Sequence, residues 1–353
     1  MRLVRVTEFG GPEVLRVEQV DDPVPGGGQV LVEVVWAAVT FVETQARAGN
    51  APWPVRVPYV PGGGVAGVVT AVGDGVSGEL LGRVVAASTG GSGGYAERVV
   101  VDAAEAVVVP EGVGVDEAAA LVADGRTAVL NLRAAGLVVG PAAGRGDLAE
   151  SGAGVGAQPR GGGAAADAAE GGGRVPDSVK RVLVLAAAGG VGSLLVQLAT
   201  AAGAEVVGAA GGTRKVGLVR DLGAARAVDY SITGWEGLVG EVDVVFDGVG
   251  GPLGRTAHGL LRSGGRMVSY GLASGEWSAV DPVDAARRGV ELVRPERPTP
   301  DRIRAAFREA LRHAETGTLK PVVGQRFPLE RAPEAHAAIE ARHTVGKTLL
   351  RVN

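Results

Sequence analysis

The amino-acid sequence predicts an α/β fold in two parts, a β-rich domain and a doubly wound parallel sheet. Residues 1–125 consist of short strand-like runs separated by Gly-Gly, Pro-Gly and Asp-Gly breaks, which is typical of sheets with tight turns. From Arg181 onward, strand-like and helix-like segments alternate, as they do in parallel sheets covered by helices. The length of 353 residues also favours two domains, because a single hydrophobic core rarely grows that large.

The β-rich part is predicted to contain six strands, each a run of alternating or continuous apolar residues. These runs lie at residues 3–7, 14–17, 30–39, 64–72, 83–87 and 95–101. The second part is predicted to have strands at 181–187, 204–210, 226–230, 242–247 and 266–270. Its helices are predicted at 191–202, after 210 through Leu222, and at 253–262.

A third block closes the chain and begins with Thr299, Pro300 and Asp301. These three residues are typical of a helix start, since Thr caps, Pro fits the first turn and Asp favours the positive end of the dipole. The helix is expected to run to about residue 316. A second helix at 332–342 and a strand at 347–352 are expected to follow.

Composition excludes several classes of function. The chain has no cysteine, which removes disulfides, thiolate metal ligands and cysteine nucleophiles. A net charge of −4 gives no long-range attraction to nucleic acid or to anionic lipid. No apolar run is long enough for a membrane span or a signal peptide, so we expect a cytoplasmic protein.

Glycine is abundant, with 59 residues, and its densest concentration lies at residues 142–177. This segment contains 11 glycines, 10 alanines and no aromatic residue. Such a composition buries too little apolar area to offset the entropy of ordering the chain. We therefore expect a mobile, solvated insertion, with a lid as the alternative.

The strongest local motif is the apolar strand ending at Ala187 and followed by Ala188, Gly189, Gly190, Val191 and Gly192. A strand, a glycine turn and a helix in this order form a phosphate site, because backbone N–H groups approach the ligand where Cβ atoms are missing. The next strand, at 204–210, completes the unit. The motif predicts a dinucleotide-binding site.

The end of that next strand indicates which dinucleotide is bound. NAD-binding proteins usually carry an acidic residue there to bind the ribose hydroxyl, but this strand ends Ala-Ala-Gly-Gly and continues to Arg214 and Lys215. Glu205 lies at the opposite end of the strand. Small residues followed by two cations favour a 2′-phosphate, so NADPH is the predicted cofactor.

The order of these blocks resembles the medium-chain dehydrogenases/reductases, specifically the zinc-free quinone reductases similar to zeta-crystallin. The resemblance extends along the whole chain apart from 142–177. It depends on the glycine-rich run 62–67, Val72-Gly73, 123–128, 186–192, Asp229-Tyr230, Asp247-Gly248-Val249-Gly250 and Gly346-Lys347.

The resemblance implies a GroES-like catalytic domain built from residues 1–125 and 296–353. It also implies a central Rossmann domain at 126–295 and NADPH in the cleft between the two domains, and often a homodimer joined through the Rossmann sheets. The implied cofactor contacts are Lys215 and Tyr230 on the adenine side, Gly189, Val191 and Gly192 at the pyrophosphate, Gly248, Tyr270, Gly271 and Thr127 on the nicotinamide side, and Lys347.

Zinc is not expected. Zinc-dependent alcohol dehydrogenases of this superfamily carry Cys and His at the positions of Thr40 and Gly63. The quinone reductases usually read Asn-Phe-Ile-Asp-Thr-Tyr where this chain reads Thr-Phe-Val-Glu-Thr-Gln at 40–45. Without a metal to polarise a carbonyl, the hydride acceptor should already be electron-poor.

Thr40 and Gln45 are the local candidates to donate hydrogen bonds to such an acceptor, and Thr40 could equally be a structural hydroxyl at a strand end. Together with Thr127, which is expected near the nicotinamide, they are the predicted catalytic residues. Glu43 could pair with a base or be a surface carboxylate. Asp124 is expected to cap the helix that follows it, with a catalytic base as the alternative. The four histidines, His258, His313, His336 and His343, are expected to be structural or exposed and away from the cleft.

Three functions remain open on the sequence. The first is an NADPH-dependent reductase of quinones or other conjugated carbonyl compounds. The second is an enoyl reductase that tailors a polyketide-like intermediate. The third is a redox-inactive NADPH-binding protein with a structural or regulatory role, which the replaced Asn and Tyr positions leave credible.

Overall fold

A computed structural model describes residues 1–51, 53–140, 181–294 and 298–353. The expected mobile insertion at 142–177 lies outside these described residues. The strands are β1 Arg2–Val6, β2 Leu15–Gln19, β3 Gln29–Val39, β4 Gly64–Val72, β5 Val84–Ser88, β6 Arg98–Asp102, β7 Ala106–Val108, β8 Arg181–Leu185, β9 Glu205–Ala210, β10 Arg226–Asp229, β11 Val242–Asp247, β12 Leu261–Ser269, β13 Glu291–Val293, β14 Val323–Pro328 and β15 Lys347–Arg351. The helices are α1 Phe41–Arg47, α2 Val115–Ala134, α3 Gly190–Ala201, α4 Thr213–Asp221, α5 Gly251–Gly259, α6 Pro282–Arg287, α7 Pro300–Glu315 and α8 Ala332–Glu340.

The predicted doubly wound sheet is confirmed. Six strands form an all-parallel sheet in the order β10-β9-β8-β11-β12-β13. The order reverses direction between β8 and β11, and the strand ends at this reversal are where ligands of doubly wound sheets bind. The glycine motif follows β8 directly, so the chain delivers it to that position.

The predicted β-rich part is also confirmed. Its seven-stranded sheet has the order β14-β15-β3-β4-β5-β7, with β6 paired to β3, and β1 and β2 form a separate hairpin. The last strand of the chain, β15, pairs antiparallel with β3, so both chain ends contribute to this sheet. Its core is largely valine and alanine, including Val32, Val65 and Val85.

Helix α2 joins the two sheets. It packs against α3 and α7 on one side and against β3, β4 and β5 on the other. One continuous hydrophobic cluster therefore contains Ala66 of β4, Leu121 of α2 and Val184 of β8. Because this core crosses the junction, the domain boundaries at 125/126 and 295/296 stay a prediction.

Three local predictions were wrong. The expected helix at 253–262 ends at Gly259, and Arg262 belongs to β12, whose strand begins five residues before the predicted start. Asp124 does not precede a helix, because α2 begins at Val115 with Gly114 as its N-cap. The pattern of apolar and polar residues in these segments is compatible with both the predicted and the observed boundaries, and tertiary packing decides between the two. The predicted N-cap of α7 is confirmed, since the Thr299 hydroxyl accepts a hydrogen bond from the Arg302 N–H at 3.4 Å.

Among the helices that the structure describes, none combines the length and the apolar character required to cross a bilayer.

Candidate active site

The glycine turn after β8 has the geometry of a phosphate site. Ala186 adopts a left-handed backbone with φ of +49°, and α3 begins directly afterwards, with Gly189 as its N-cap. A Cβ on Gly192 would lie 2.2 Å from the Ala186 carbonyl oxygen. Glycine is therefore required for α3 to approach the strand, and the N–H groups of the first helical turn, including those of Gly190 and Val191, have no partner inside the helix.

The C-terminal strand of the β-rich part contacts this turn. The Gly346 N–H donates to the Ala188 carbonyl at 2.7 Å, and the buried Lys347 ammonium pairs with the Asp124 carboxylate at 3.0 Å. A Cβ on Gly190 would meet that carboxylate at 1.9 Å. Asp124 is thus an ion-pair partner beneath the glycine turn and not a helix cap. The sequence singled out both charged residues but not their pairing.

A cationic cleft of about 360 Å³ opens at the end of β9. The lining residues are Gly211, Gly212, Thr213, Arg214, Lys215, Arg342 and His343. Burial, and then the positive charges of Arg214 and Arg342, lower the pKa of Lys215. No carboxylate belongs to this lining, so the cleft has an excess of positive charge that an anionic group would neutralise.

Contacts across the cleft join α4 to the chain segment after α8. Arg214 donates to the His343 carbonyl at 3.0 Å, and Lys215 donates to the Arg342 carbonyl at 2.7 Å. The Arg342 guanidinium in turn donates to the Ala273 carbonyl at 3.0 Å. Sequence reasoning predicted Arg214 and Lys215 but missed Arg342, which lies 127 residues away from Lys215. His343 was expected away from the cleft, and its position in the lining corrects that expectation.

Tyr230 lies beside the same region, on the predicted adenine side. A Cβ on Gly211 would lie 3.1 Å from the Tyr230 ring, so the ring packs over a glycine. The neighbouring Asp229 accepts hydrogen bonds from the Gly212 N–H at 3.0 Å and from Ser231. These donors lower the pKa of Asp229. The carboxylate therefore orients the turn.

Gly248, Tyr270 and Gly271 meet at the ends of β11 and β12, on the predicted nicotinamide side. A Cβ on Gly248 would lie 2.7 Å from the Tyr270 hydroxyl, and one on Gly271 would lie 2.7 Å from the Gly248 carbonyl. Asp247 is buried and accepts from the Val249 and Gly250 N–H groups at 2.9 and 2.8 Å. Burial raises the pKa of Asp247, and burial with the charges of Asp247 and Asp124 raises that of Tyr270.

The three predicted catalytic residues have local hydrogen bonds. The Thr127 hydroxyl donates to the Ala123 carbonyl one helical turn earlier, at 2.7 Å. Gln45 donates to the Thr44 hydroxyl at 3.2 Å. Thr40 is the N-cap of α1, and its hydroxyl accepts from the Glu43 N–H at 3.3 Å. This bond fulfils the structural role open for Thr40, and because the hydroxyl accepts in it, its own hydrogen can still donate to a bound acceptor.

Glu43 is not a surface carboxylate, because its exposed fraction is 7%. Its oxygens accept from the Thr40 N–H and the Gly63 N–H, both at 2.7 Å, and from the Tyr95 hydroxyl at 3.2 Å. Tyr95 also lies 3.0 Å from Nε2 of His336, which is fully buried. Burial is the largest influence on the pKa of Glu43 and raises it. The Thr40 N–H, the charge of Lys347 and the Gly63 N–H act in the opposite direction and lower it.

His336 is therefore structural, as expected, but it belongs to a polar chain and not to an isolated core position. Burial and the neighbouring Arg47 charge lower its pKa to about 3, so the ring is neutral near pH 7. A neutral ring donates one N–H, and the network assigns it to Nε2, which donates to Tyr95 while Tyr95 donates to Glu43. Sequence reasoning missed Tyr95 entirely.

The donor set does not fit zinc. Thr40 and Gly63 supply neither the thiolate nor the imidazole that zinc prefers, and both oxygens of the nearby Glu43 are engaged by N–H and O–H donors. Over residues 1–51, 53–140, 181–294 and 298–353, no group of three His, Cys, Asp or Glu side chains is arranged to hold a metal ion.

Comparison with known proteins agrees with this geometry. The family model described as alcohol dehydrogenase GroES-like domain matches residues 26–111, and the one described as zinc-binding dehydrogenase matches residues 222–350. The chain is 30% identical to a quinone oxidoreductase of Pseudomonas aeruginosa, with 98% of both chains covered. It is 31% identical to a quinone oxidoreductase of Homo sapiens, covering 99% of this chain and 97% of that protein.

Solved structures give the same result over the full length. A mycobacterial protein complexed with NADPH matches with a TM-score of 0.80 and 30% identity, and all of both chains is covered. The quinone oxidoreductase of Escherichia coli complexed with NADPH matches with a TM-score of 0.81 and 26% identity, again over all of both chains. Similarity of this extent covers both sheets and the cleft between them.

Proposed function

Since the chain belongs to the quinone oxidoreductase family of the medium-chain dehydrogenases/reductases, we propose that it is an NADPH-dependent, zinc-independent reductase of quinones or other conjugated carbonyl compounds. The cationic cleft at the end of β9 carries the proposal. Arg214, Lys215 and Arg342 surround it without a carboxylate in its lining, and such a site distinguishes a 2′-phosphate from a free ribose hydroxyl. Two structural neighbours are complexed with NADPH.

The residues on the described strand ends fit this cofactor from one end to the other. The turn formed by Ala188, Gly189, Gly190, Val191 and Gly192 would hold the pyrophosphate on backbone N–H groups. Tyr230 would pack on the adenine side, and Gly248, Tyr270, Gly271 and Thr127 would lie on the nicotinamide side. Lys347, paired with Asp124, would face the cofactor from β15. NADPH, when bound, supplies the hydride.

The chain's own residues prepare the acceptor. Their donor chemistry favours a carbonyl that is already activated by conjugation, because no described group polarises it as a metal would. Thr40 and Gln45 would donate hydrogen bonds to the oxygen on which negative charge develops. Neither side chain titrates near neutral pH, so they position the acceptor and the proton comes from water.

Turnover with purified protein tests the proposal. NADPH oxidation should proceed with quinones and enones, and NADH should be the weaker reductant. The measurement is the loss of NADPH absorbance with a panel of acceptors, beside the affinity for each dinucleotide. Tight NADPH binding without turnover on any acceptor would contradict the reductase function and favour a redox-inactive role.

The proposed assembly is a homodimer joined at the six-stranded sheet. Within the described residues β13 pairs only with β12, and an unpaired strand edge favours pairing with a second copy. Sedimentation that gives only the 35.4 kDa monomer would contradict the dimer. The proposed compartment is the cytoplasm, where reduced cofactor is regenerated. Cell fractionation that finds the protein outside the cytoplasm would contradict this proposal.

A further inference from the structure

We propose that Glu43 is a positioning residue, whose carboxylate ties together the two chain segments that form the acceptor side of the cleft. This inference rests on the proposed reductase function. The first segment is the junction of β3 and α1 at Thr40, and the second is the glycine run 62–64 that leads into β4. They meet at one buried side chain.

The hydrogen bonds show how Glu43 joins them. One carboxylate oxygen accepts from the Gly63 N–H at 2.7 Å, and the other accepts from the Thr40 N–H at 2.7 Å. The bond to Thr40 belongs to the capping box of α1, but the bond to Gly63 spans 20 residues of sequence and serves no helix. A capping residue alone would not need it.

The glycine run packs against α2, the helix that also carries Asp124. A Cβ on Gly64 would lie 2.9 Å from the Val122 side chain on α2, and Asp124 follows on the same helix with its carboxylate beneath the glycine turn. Lys347, the partner of Asp124, is near enough to Glu43 for its charge to lower the pKa of Glu43. The tied segments therefore adjoin the glycine turn across the domain junction.

Tyr95 and His336 form a buried polar pair beside the Glu43 carboxylate. The Tyr95 hydroxyl donates to Glu43 at 3.2 Å and lies 3.0 Å from His336 Nε2, and both rings are fully buried. Their rings meet edge to face, with centroids 5.8 Å apart. Fixed rings on one side and two backbone donors on the other leave the carboxylate one orientation, which is the condition for holding an acceptor site accurately.

Only a carboxylate satisfies this set of partners. Glutamine has one acceptor oxygen and one NH₂ group, so whichever way its amide is turned, the NH₂ faces a backbone N–H. In Glu43→Gln either Thr40 or Gly63 loses its buried acceptor. The chain offers a control, because Glu117 accepts from the N–H of the N-cap residue Gly114 at 3.0 Å at the start of α2 but makes no bond like that to Gly63.

The experiment compares Glu43→Gln with Glu117→Gln in the full chain. For Glu43→Gln we expect faster amide exchange at Thr40 or Gly63 and a kcat for quinone reduction lower by roughly tenfold to hundredfold, as misplacement of a reacting group causes. The Kd for NADPH should change less than twofold, a small change of about 0.4 kcal/mol. Glu117→Gln should leave kcat unchanged and alter exchange only near Gly114.

A kcat per folded molecule equal to that of the parent would overturn the positioning role, and unchanged exchange at both amides would overturn the tie itself. If Glu43→Gln does not fold, Tyr95→Phe removes the hydroxyl that orients the carboxylate, and kcat should fall with the NADPH Kd unchanged. Parent-like kcat in that variant would overturn the proposal. If the parent reduces no acceptor, the reductase function fails, and amide exchange alone decides whether Glu43 ties the segments.

Discussion

The two ends of the cleft are built in opposite ways. At the nucleotide end the site depends on atoms that are missing, since a Cβ on Gly192 or Gly190 would meet neighbouring atoms at 2.2 or 1.9 Å. At the acceptor end it depends on buried polar side chains, with Glu43, Tyr95 and His336 joined in one chain. The glycine turn of the first end is a stretch of consecutive residues, whereas the second end joins hydrogen-bonded pairs up to 241 positions apart.

The two ends also differ in whether their charged groups already have partners within the protein. The cations of the nucleotide end line an open cleft with no carboxylate among them, so they are arranged to receive an anion. At the acceptor end the Glu43 carboxylate already has three donors within the protein. One end gains its partners on binding, whereas the other is organised before binding, and substitutions should separate these two behaviours.

The largest effect is expected for Gly192→Ala. The added Cβ would lie 2.2 Å from the Ala186 carbonyl oxygen, which is backbone and cannot move aside cheaply. We expect stability to fall by about 3 kcal/mol and NADPH binding to be lost. Urea unfolding and fluorescence titration with NADPH measure the two effects.

Gly217→Ala is the matched control, because Gly217 lies inside α4 and, apart from its chain neighbours and the backbone of its own helix, no described atom lies within 4 Å of its Cβ position. That variant should be more stable by about 0.5–1 kcal/mol through helix propensity. A Gly192→Ala protein that bound NADPH as the parent does would show that the close approach of α3 is not required.

A smaller effect is expected for Arg342→Ala. The guanidinium is one of three cations in the cleft, but the Arg342 carbonyl that holds Lys215 remains in the variant. Loss of one charged hydrogen bond should weaken NADPH binding about tenfold and leave NADH binding unchanged. Titration with both dinucleotides measures this.

Arg331→Ala serves as the control for Arg342→Ala, since Arg331 is an exposed arginine of the same terminal block that pairs with Glu334. An equal loss of NADPH and NADH affinity in Arg342→Ala would show that the guanidinium does not recognise the 2′-phosphate.

The smallest effect is expected in the pH dependence of stability that His336, at the acceptor end, causes. Burial and the charge of Arg47 lower the pKa of His336 from 6.5 to about 3. Below pH 6.5 the unfolded chain therefore binds a proton at this histidine, whereas the folded chain does not. Stability should therefore fall as pH drops through this window, by about 1 kcal/mol between pH 7 and 5.5 from this group. Urea unfolding of the parent and of His336→Gln measures that share. An equal decrease in both proteins would assign the pH dependence to other groups.

Sequence reasoning predicted the strand, the glycine turn and the helix of the nucleotide end correctly, and the reason is local. A strand, a glycine turn, a helix and two following cations are consecutive in the chain, and each constraint acts within one turn or one βαβ unit. The same locality explains why the cap of α7 at Thr299 was predicted correctly. By contrast, Asp124 was misplaced, because it resembles a helix start in the sequence although α2 already begins at Val115, nine residues earlier.

The sequence by itself determined the alternation of strands and helices, the phosphate turn and the positive charge after β9. Only the tertiary structure decided that Arg342 completes the cationic cleft, that Lys347 pairs with Asp124, and that Glu43 is buried and not exposed. Each of these depends on contacts between segments far apart in the chain. Sequence spacing constrains a residue's neighbours within a turn of helix or strand, whereas burial and long-range pairing are set by how the two sheets pack around α2.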